Sequence, residues 1–187
     1  MLSSKIKYTF KQLDINFPID YTSNYLNVLM CDNITNYKNG LKNSLKLYKS
    51  FKFDTLLFKV DFLYKKNNDL DLEQSINILN RFINICKLKK PAIMKKYLYN
   101  NEDNILTETI AFCWDLSNER IKIKNLIKEI LFLNNAGFNE LSSSVFFLDT
   151  NKHILFNFYD DKIIKILSND TKNTNKICKK FKNIIIE

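Results

Sequence analysis

Two apolar runs joined by four polar residues do most to limit the folds open to this chain. Ser143 to Asp149 and Ile154 to Tyr159 flank Thr150-Asn151-Lys152, with His153 in the same turn. Apolar runs of strand length on either side of a short polar link predict a β-hairpin. A third strand, from about Lys162 to Leu167, extends the hairpin into a meander. A sheet begun this way has an apolar face that other elements must cover.

The coverings are visible as helical periodicities. Between Asn36 and Phe51, Leu41, Leu45, Tyr48 and Phe51 fall on one face and lysines on the other. Asp71 with Gln74 three residues on predicts a helix start, followed by a stripe from Leu72 to Cys86. Ser117 or Asn118 is placed to cap a helix running to about Asn134, with Ile123, Leu126, Ile127, Ile130 and Leu131 inward and Gly137 at its end. Asp170 or Thr171 caps a closing helix with Ile177, Phe181 and Ile184 on one side. Further strands are predicted over Tyr21 to Met30, Thr55 to Tyr64, and Asn104 to Leu116. In the second of these Leu56, Phe58, Val60 and Phe62 alternate as one buried face; in the third Thr107, Thr109, Ala111 and Cys113 share a side. Leu2 to Asp20 reads as irregular, and Lys87 to Lys96 as a basic connector around Pro91. The expected fold is α+β: an antiparallel or mixed sheet with a C-terminal hairpin and meander, covered by about four helices. No repeat or linker divides residues 1–187, so one domain is expected. Leu56, Phe58, Val60, Leu126, Ile130, Phe147, Leu155 and Ile166 are expected to share one continuous core.

Composition enters mainly through what it forbids. With 2 Gly and 2 Pro among 187 residues, and Gly40 far from Gly137, neither a phosphate-binding glycine loop nor a Gly-x-Ser-x-Gly nucleophile turn can be written. The four cysteines, Cys31, Cys86, Cys113 and Cys178, are widely spaced, and His153 is the one histidine. Structural zinc sites use closely paired ligands, so neither metal nor cofactor is expected. Met1 to Phe10 lacks the apolar run of a signal peptide, and no stretch has the length of a membrane span. A cytoplasmic chain with reduced thiols and no membrane partner follows. The net charge of +9 points toward nucleic acid. Arg81 and Arg120 are the only arginines, however, and Lys, Asn and Ile share A- and T-rich codons. The charge therefore reads as compositional, and nucleic acid as the second choice of partner.

The hairpin also carries a resemblance. Val145-Phe146-Phe147-Leu148-Asp149, followed by Ile154 through Tyr159-Asp160-Asp161, resembles the end of a bacterial domain family of unknown function whose hallmark is a strand ending in Tyr-Asp-Asp-Arg-Gly. Lys162 stands at the Arg position and Ile163 at the Gly position. The order of elements from about Pro18 is similar as well. The resemblance implies a fold and a bacterial origin, with no activity attached.

Asp160 and Asp161 are adjacent, so on a strand their side chains point to opposite faces. They suit either a local turn or a partner contact. Trp114 ends a strand and suits either core packing or an interface anchor. These three are the candidate partner-binding residues, and no catalytic residue is nominated. The leading expectation is a non-enzymatic module that binds another protein, of the immunity or antitoxin type. The alternatives are a nucleic-acid binder and a hydrolase built from dispersed carboxylates such as Glu108, Asp149, Asp160 and Asp161. His153, in the hairpin turn, is expected to be solvated.

Overall fold

The protein is seen in a computed structural model that describes residues 4–16, 26–29, 37–63, 77, 80–82, 92–100, 105–116, 121–132, 145–158 and 163–186. The first element is a helix, α1 (Ser4–Leu13), where an irregular start was expected. Ile6, Phe10 and Leu13, spaced four and three apart, form its buried stripe with Thr9 beside it, and Lys5, Lys7 and Lys11 are exposed. The helix ends in a Schellman-type cap. Asp14 takes positive φ (54°), its N–H donates to Lys11 O, and Ile15 N–H donates to Phe10 O.

Next come β1 (Leu26–Leu29), α2 (Tyr37–Tyr48), β2 (Thr55–Leu63), β3 (Ala92–Asn100) and β4 (Ile105–Asp115). They are followed by α3 (Ile123–Phe132), β5 (Val145–Asp149), β6 (Ile154–Phe158) and β7 (Ile163–Ser168). The chain then forms α4 (Thr171–Lys180), a 3-10 turn (Lys182–Ile184) and β8 (Ile185–Ile186). The eight strands form one sheet in the order β3-β4-β2-β5-β6-β7-β1-β8, with every described pairing antiparallel. The predicted hairpin is β5–β6, with Asp149 opposite Ile154. The closing helix starts where expected: the Asp170 carboxylate accepts from Lys172 N–H at 2.9 Å.

Strand β3 replaces the expected basic connector. It lies at one edge of the sheet, paired with β4. Of the predicted helix over residues 71–86, Asn77 and Asn80 are helical, and the rest lies outside the described residues, as does Gly137. Helix α3 begins at Ile123, later than a cap at Ser117 or Asn118 requires. In α2 the line of deepest burial is Gly40, Ser44 and Leu47, while Leu41, Leu45, Tyr48 and Phe51 flank it half-buried.

The expected single core is two cores, one on each face of the sheet. On one face Leu56, Phe58, Phe112, Trp114, Phe147 and Phe156 pack under Leu47 of α2, Leu126 and Ile130 of α3, and Ile177 of α4. On the other, Leu57, Cys113, Phe146, Leu148, Leu155 and Leu167 pack under α1. Leu155 lies in this second core, on the opposite face from Leu56, Phe58, Leu126, Ile130, Phe147 and Ile166, and the side chain of Val60 is outside the described residues. Strands β2, β5 and β6 are central and covered from both sides, so Leu56, Leu57 and Phe58 are all buried in sequence.

Candidate functional site

The ends of β2, β4 and β5 meet at one end of the sheet, and Asp54 ties them together. Its backbone N–H donates to Leu148 O (2.9 Å), and its carbonyl accepts from Leu116 N–H (2.7 Å). One carboxylate oxygen accepts from the Thr55 hydroxyl (2.9 Å); the other accepts from the Thr150 hydroxyl (2.6 Å) and the Thr150 N–H (3.2 Å). The turn is held again from within. Asp149 Oδ1 accepts from Lys152 N–H at 3.0 Å, the local bond that suits Asp to turns. Asp149 is 1% exposed, and its second oxygen is buried with no hydrogen-bond partner.

This bracing presents His153. The residue closes the turn at φ 51°, a left-handed conformation that His tolerates better than branched residues do. Its Nδ1 lies 3.3 Å from Thr9 Oγ1, and its ring meets Tyr8 edge-on, with centroids 5.2 Å apart at 70°. His153 is thus half-buried against α1 rather than freely solvated. Tyr8, at 54%, is the one large hydrophobic side chain exposed among the described residues. The corner of α1 and the hairpin therefore displays an aromatic ring whose neighbour is fixed by a doubly anchored turn.

Asp160 and Asp161 lie outside the described residues. Trp114 is 2% exposed and stacks on Phe112 at 5.9 Å, inside the core beneath the helices. It offers no surface anchor, because its ring is packed into the core with Phe58, Phe112 and Phe147. Its indole N–H is buried without an acceptor. Of the carboxylates suggested for hydrolysis, Asp149 is sealed in its turn, and the side chain of Glu108 lies outside the described residues. Among the described residues no three Asp, Glu, His or Cys side chains converge to hold a metal ion, and no helix is long and apolar enough to cross a membrane. Cys113 and Cys178 are free thiols. Burial pushes the Cys113 thiol up from its ordinary 9.0 to about 12, which keeps it protonated and weakly nucleophilic at neutral pH.

The Tyr8 corner is not legible in the sequence, where Leu2 to Asp20 reads as irregular. The available signal was the Ile6, Phe10, Leu13 spacing, which puts Tyr8 off the buried stripe.

Comparison with known proteins gives a family and no activity. The sequence model of a family described as a domain of unknown function, DUF3885, matches residues 13–187. A curated relative, Protein Ycf2 of Physcomitrium patens, is 28% identical over 149 residues; the match covers 76% of this chain and 6% of that protein. The chain thus spans a small fraction of the length of that relative. No solved structure matches.

Proposed function

This chain belongs to the DUF3885 family of domains of unknown function, and from that premise we propose that it is a non-enzymatic, single-domain protein-binding module of the immunity or antitoxin type. Its contact is the corner of α1 and the β5–β6 hairpin. The observation that carries this reading is Tyr8: a large aromatic side chain, 54% exposed, set edge-on against His153. Tyrosine is among the residues that dominate protein interfaces. An anchor held in place before binding also loses less side-chain entropy on association. Asp54 and Asp149 supply that rigidity by fixing the turn through Thr150 and Lys152. Asp160 and Asp161 are retained from the sequence as a second acidic contact. The module is proposed to act in the cytoplasm.

The experiment is co-expression with the products of adjacent genes, followed by calorimetry on any complex recovered. Tyr8→Ala is expected to weaken that complex by about 2 kcal/mol, roughly 30-fold, with the melting temperature unchanged. An affinity within about twofold of the parent would remove Tyr8 as the anchor. Failure of every neighbouring product to bind would count against the protein-binding reading as a whole.

A further inference from the structure

We propose that the outer surface of α2, α3 and α4 binds the phosphate backbone of a nucleic-acid duplex without reading its sequence. This surface covers the opposite face of the sheet from α1, so the proposal stands apart from the Tyr8 contact.

The first observation is charge segregation. Residues 37–52, 121–132 and 170–184 are dense in lysine, every one of them exposed, and their acidic residues are Glu129 and Asp170 alone. Both acids are occupied. Glu129 lies 3.9 Å from Arg81, and Asp170 caps the first turn of α4. Codon bias accounts for the number of lysines in the chain; it does not account for three helical segments so poor in carboxylates among the described residues.

The second observation is spacing. Lys38, Lys42 and Lys46 recur every fourth residue along α2, as do Lys172, Lys176 and Lys180 along α4. Residues four apart lie on one face, about 6 Å apart along the axis, so each helix presents a line of like charges. The two lines meet at Phe181, where Lys46 Nζ lies 5.9 Å and Lys180 Nζ 5.4 Å from the ring centroid. Like charges in such rows repel and weaken a helix. A regular polyanion laid across them turns that repulsion into attraction and releases condensed counterions.

The chemistry of the face selects among anionic partners. Protein interfaces are depleted in lysine and enriched in aromatic residues and arginine. Here lysine dominates, and the exposed large hydrophobic side chain among the described residues, Tyr8, is on α1. A single strand needs aromatic platforms on which bases stack. Base-edge readout relies on bidentate arginine, and the chain contains only Arg81 and Arg120. Point charges in rows suit the regular phosphates of a duplex.

The test is fluorescence anisotropy with a labelled mixed-sequence duplex, titrated across about 50–200 mM salt. The parent is expected to bind with a log–log salt slope of about −4 or steeper, corresponding to about five neutralised phosphates. Replacing Lys42, Lys46, Lys176 and Lys180 by Glu should weaken binding about 100-fold and flatten the slope by about 3. The same lysines changed to Gln, which bring no new charge against Phe181, should give a smaller loss in the same direction. Reversing Lys5, Lys7 and Lys11 on α1 is the control for net charge and should change affinity less than about threefold. Tyr8→Ala should leave duplex binding unchanged, so this proposal and the protein-contact reading can fail separately. Equal losses from the two lysine sets, a flat salt dependence, or preferential competition by a single strand or by polyglutamate would each overturn it.

Discussion

Phe147 offers the strongest check on the two-core architecture. It is fully buried at the centre of β5 and surrounded by rings. Tyr48 and Phe158 meet it edge-on at 5.1 and 6.3 Å, Phe156 at 6.3 Å, and Phe53 is tilted against it at 5.6 Å. Truncating a buried Phe to Ala costs about 3–5 kcal/mol in transfer and cavity terms together. The upper half of that range applies here. Strand β5 is paired on both sides, with Phe147 opposite Leu56 of β2 and Phe156 of β6, so the backbone cannot close the space. The ring contacts, of a kind worth about 0.5–1.5 kcal/mol in favourable pairs, place the loss in that upper half. A loss of about 4–5 kcal/mol is a large part of a typical stability of about 5–15 kcal/mol. In urea, with m near about 2 kcal/mol/M, the midpoint of Phe147→Ala should fall by roughly 2 M at unchanged m. Phe147→Leu, which restores most of the volume, should recover more than half of the loss. A loss below about 1 kcal/mol for the Ala variant would mean that Phe147 does not face the core.

Three further outcomes follow from the structure. Asp54→Ala removes the acceptor for Thr55 and for both Thr150 donors; it should cost about 2–3 kcal/mol and speed amide exchange at Thr150, read by hydrogen-exchange NMR. Burial raises Cys113 to about 12 and Tyr48 above its ordinary 10.0, so both keep their protons in the fold where the unfolded chain loses them. Their stabilising contribution is complete below about pH 9 and is lost as pH rises toward the folded values, by up to about 1.4 kcal/mol per pH unit for each group; urea titrations at about pH 8 and pH 10.5 should show it, and a Cys113→Ala variant should show less. A thiol reagent should label half-buried Cys178 in the native state and leave Cys113 unmodified until denaturant is added, when all 4 cysteines react; early labelling of Cys113 would contradict its burial.

Legibility in the sequence tracked how far an element's own residues reveal what covers it. The β5–β6 hairpin, the alternation in β4 and the capped helix α4 were readable because period and punctuation agree in each. Strand β2 was assigned one buried face, yet Leu57 is as buried as Leu56 and Phe58, because α1 covers the side that alternation left for solvent. The central line of α2 was missed because Gly40 and Ser44 do not register as apolar, although both are buried. Strand β3 was hidden by Lys95 and Lys96, and β8 is only two residues long. The candidate site was the least readable part. Tyr8 and His153 meet across most of the chain, and no local pattern links a helix near one end to a turn near the other.

Helix α1 joins the stability argument to the functional one. Its inner stripe closes the second core, where Ile6, Phe10 and Leu13 meet Phe146, Leu148 and Leu155. Its flank carries Tyr8 and Thr9 to His153. The burial that holds Phe10 also fixes where Tyr8 points, since the two lie two residues apart on one short helix held at its end by Asp14. On the sheet side, the turn that holds His153 depends on Asp54, which pins Thr150 across the β2–β5 boundary. The exposed ring is therefore positioned by two independent supports, one from each core's neighbourhood. Weakening either should loosen the corner before it unfolds the protein, because the larger core beneath α2, α3 and α4 contains none of these residues. Contact with the proposed partner should accordingly respond most to Tyr8, whose replacement is expected to leave the melting temperature unchanged, and global stability most to Phe147.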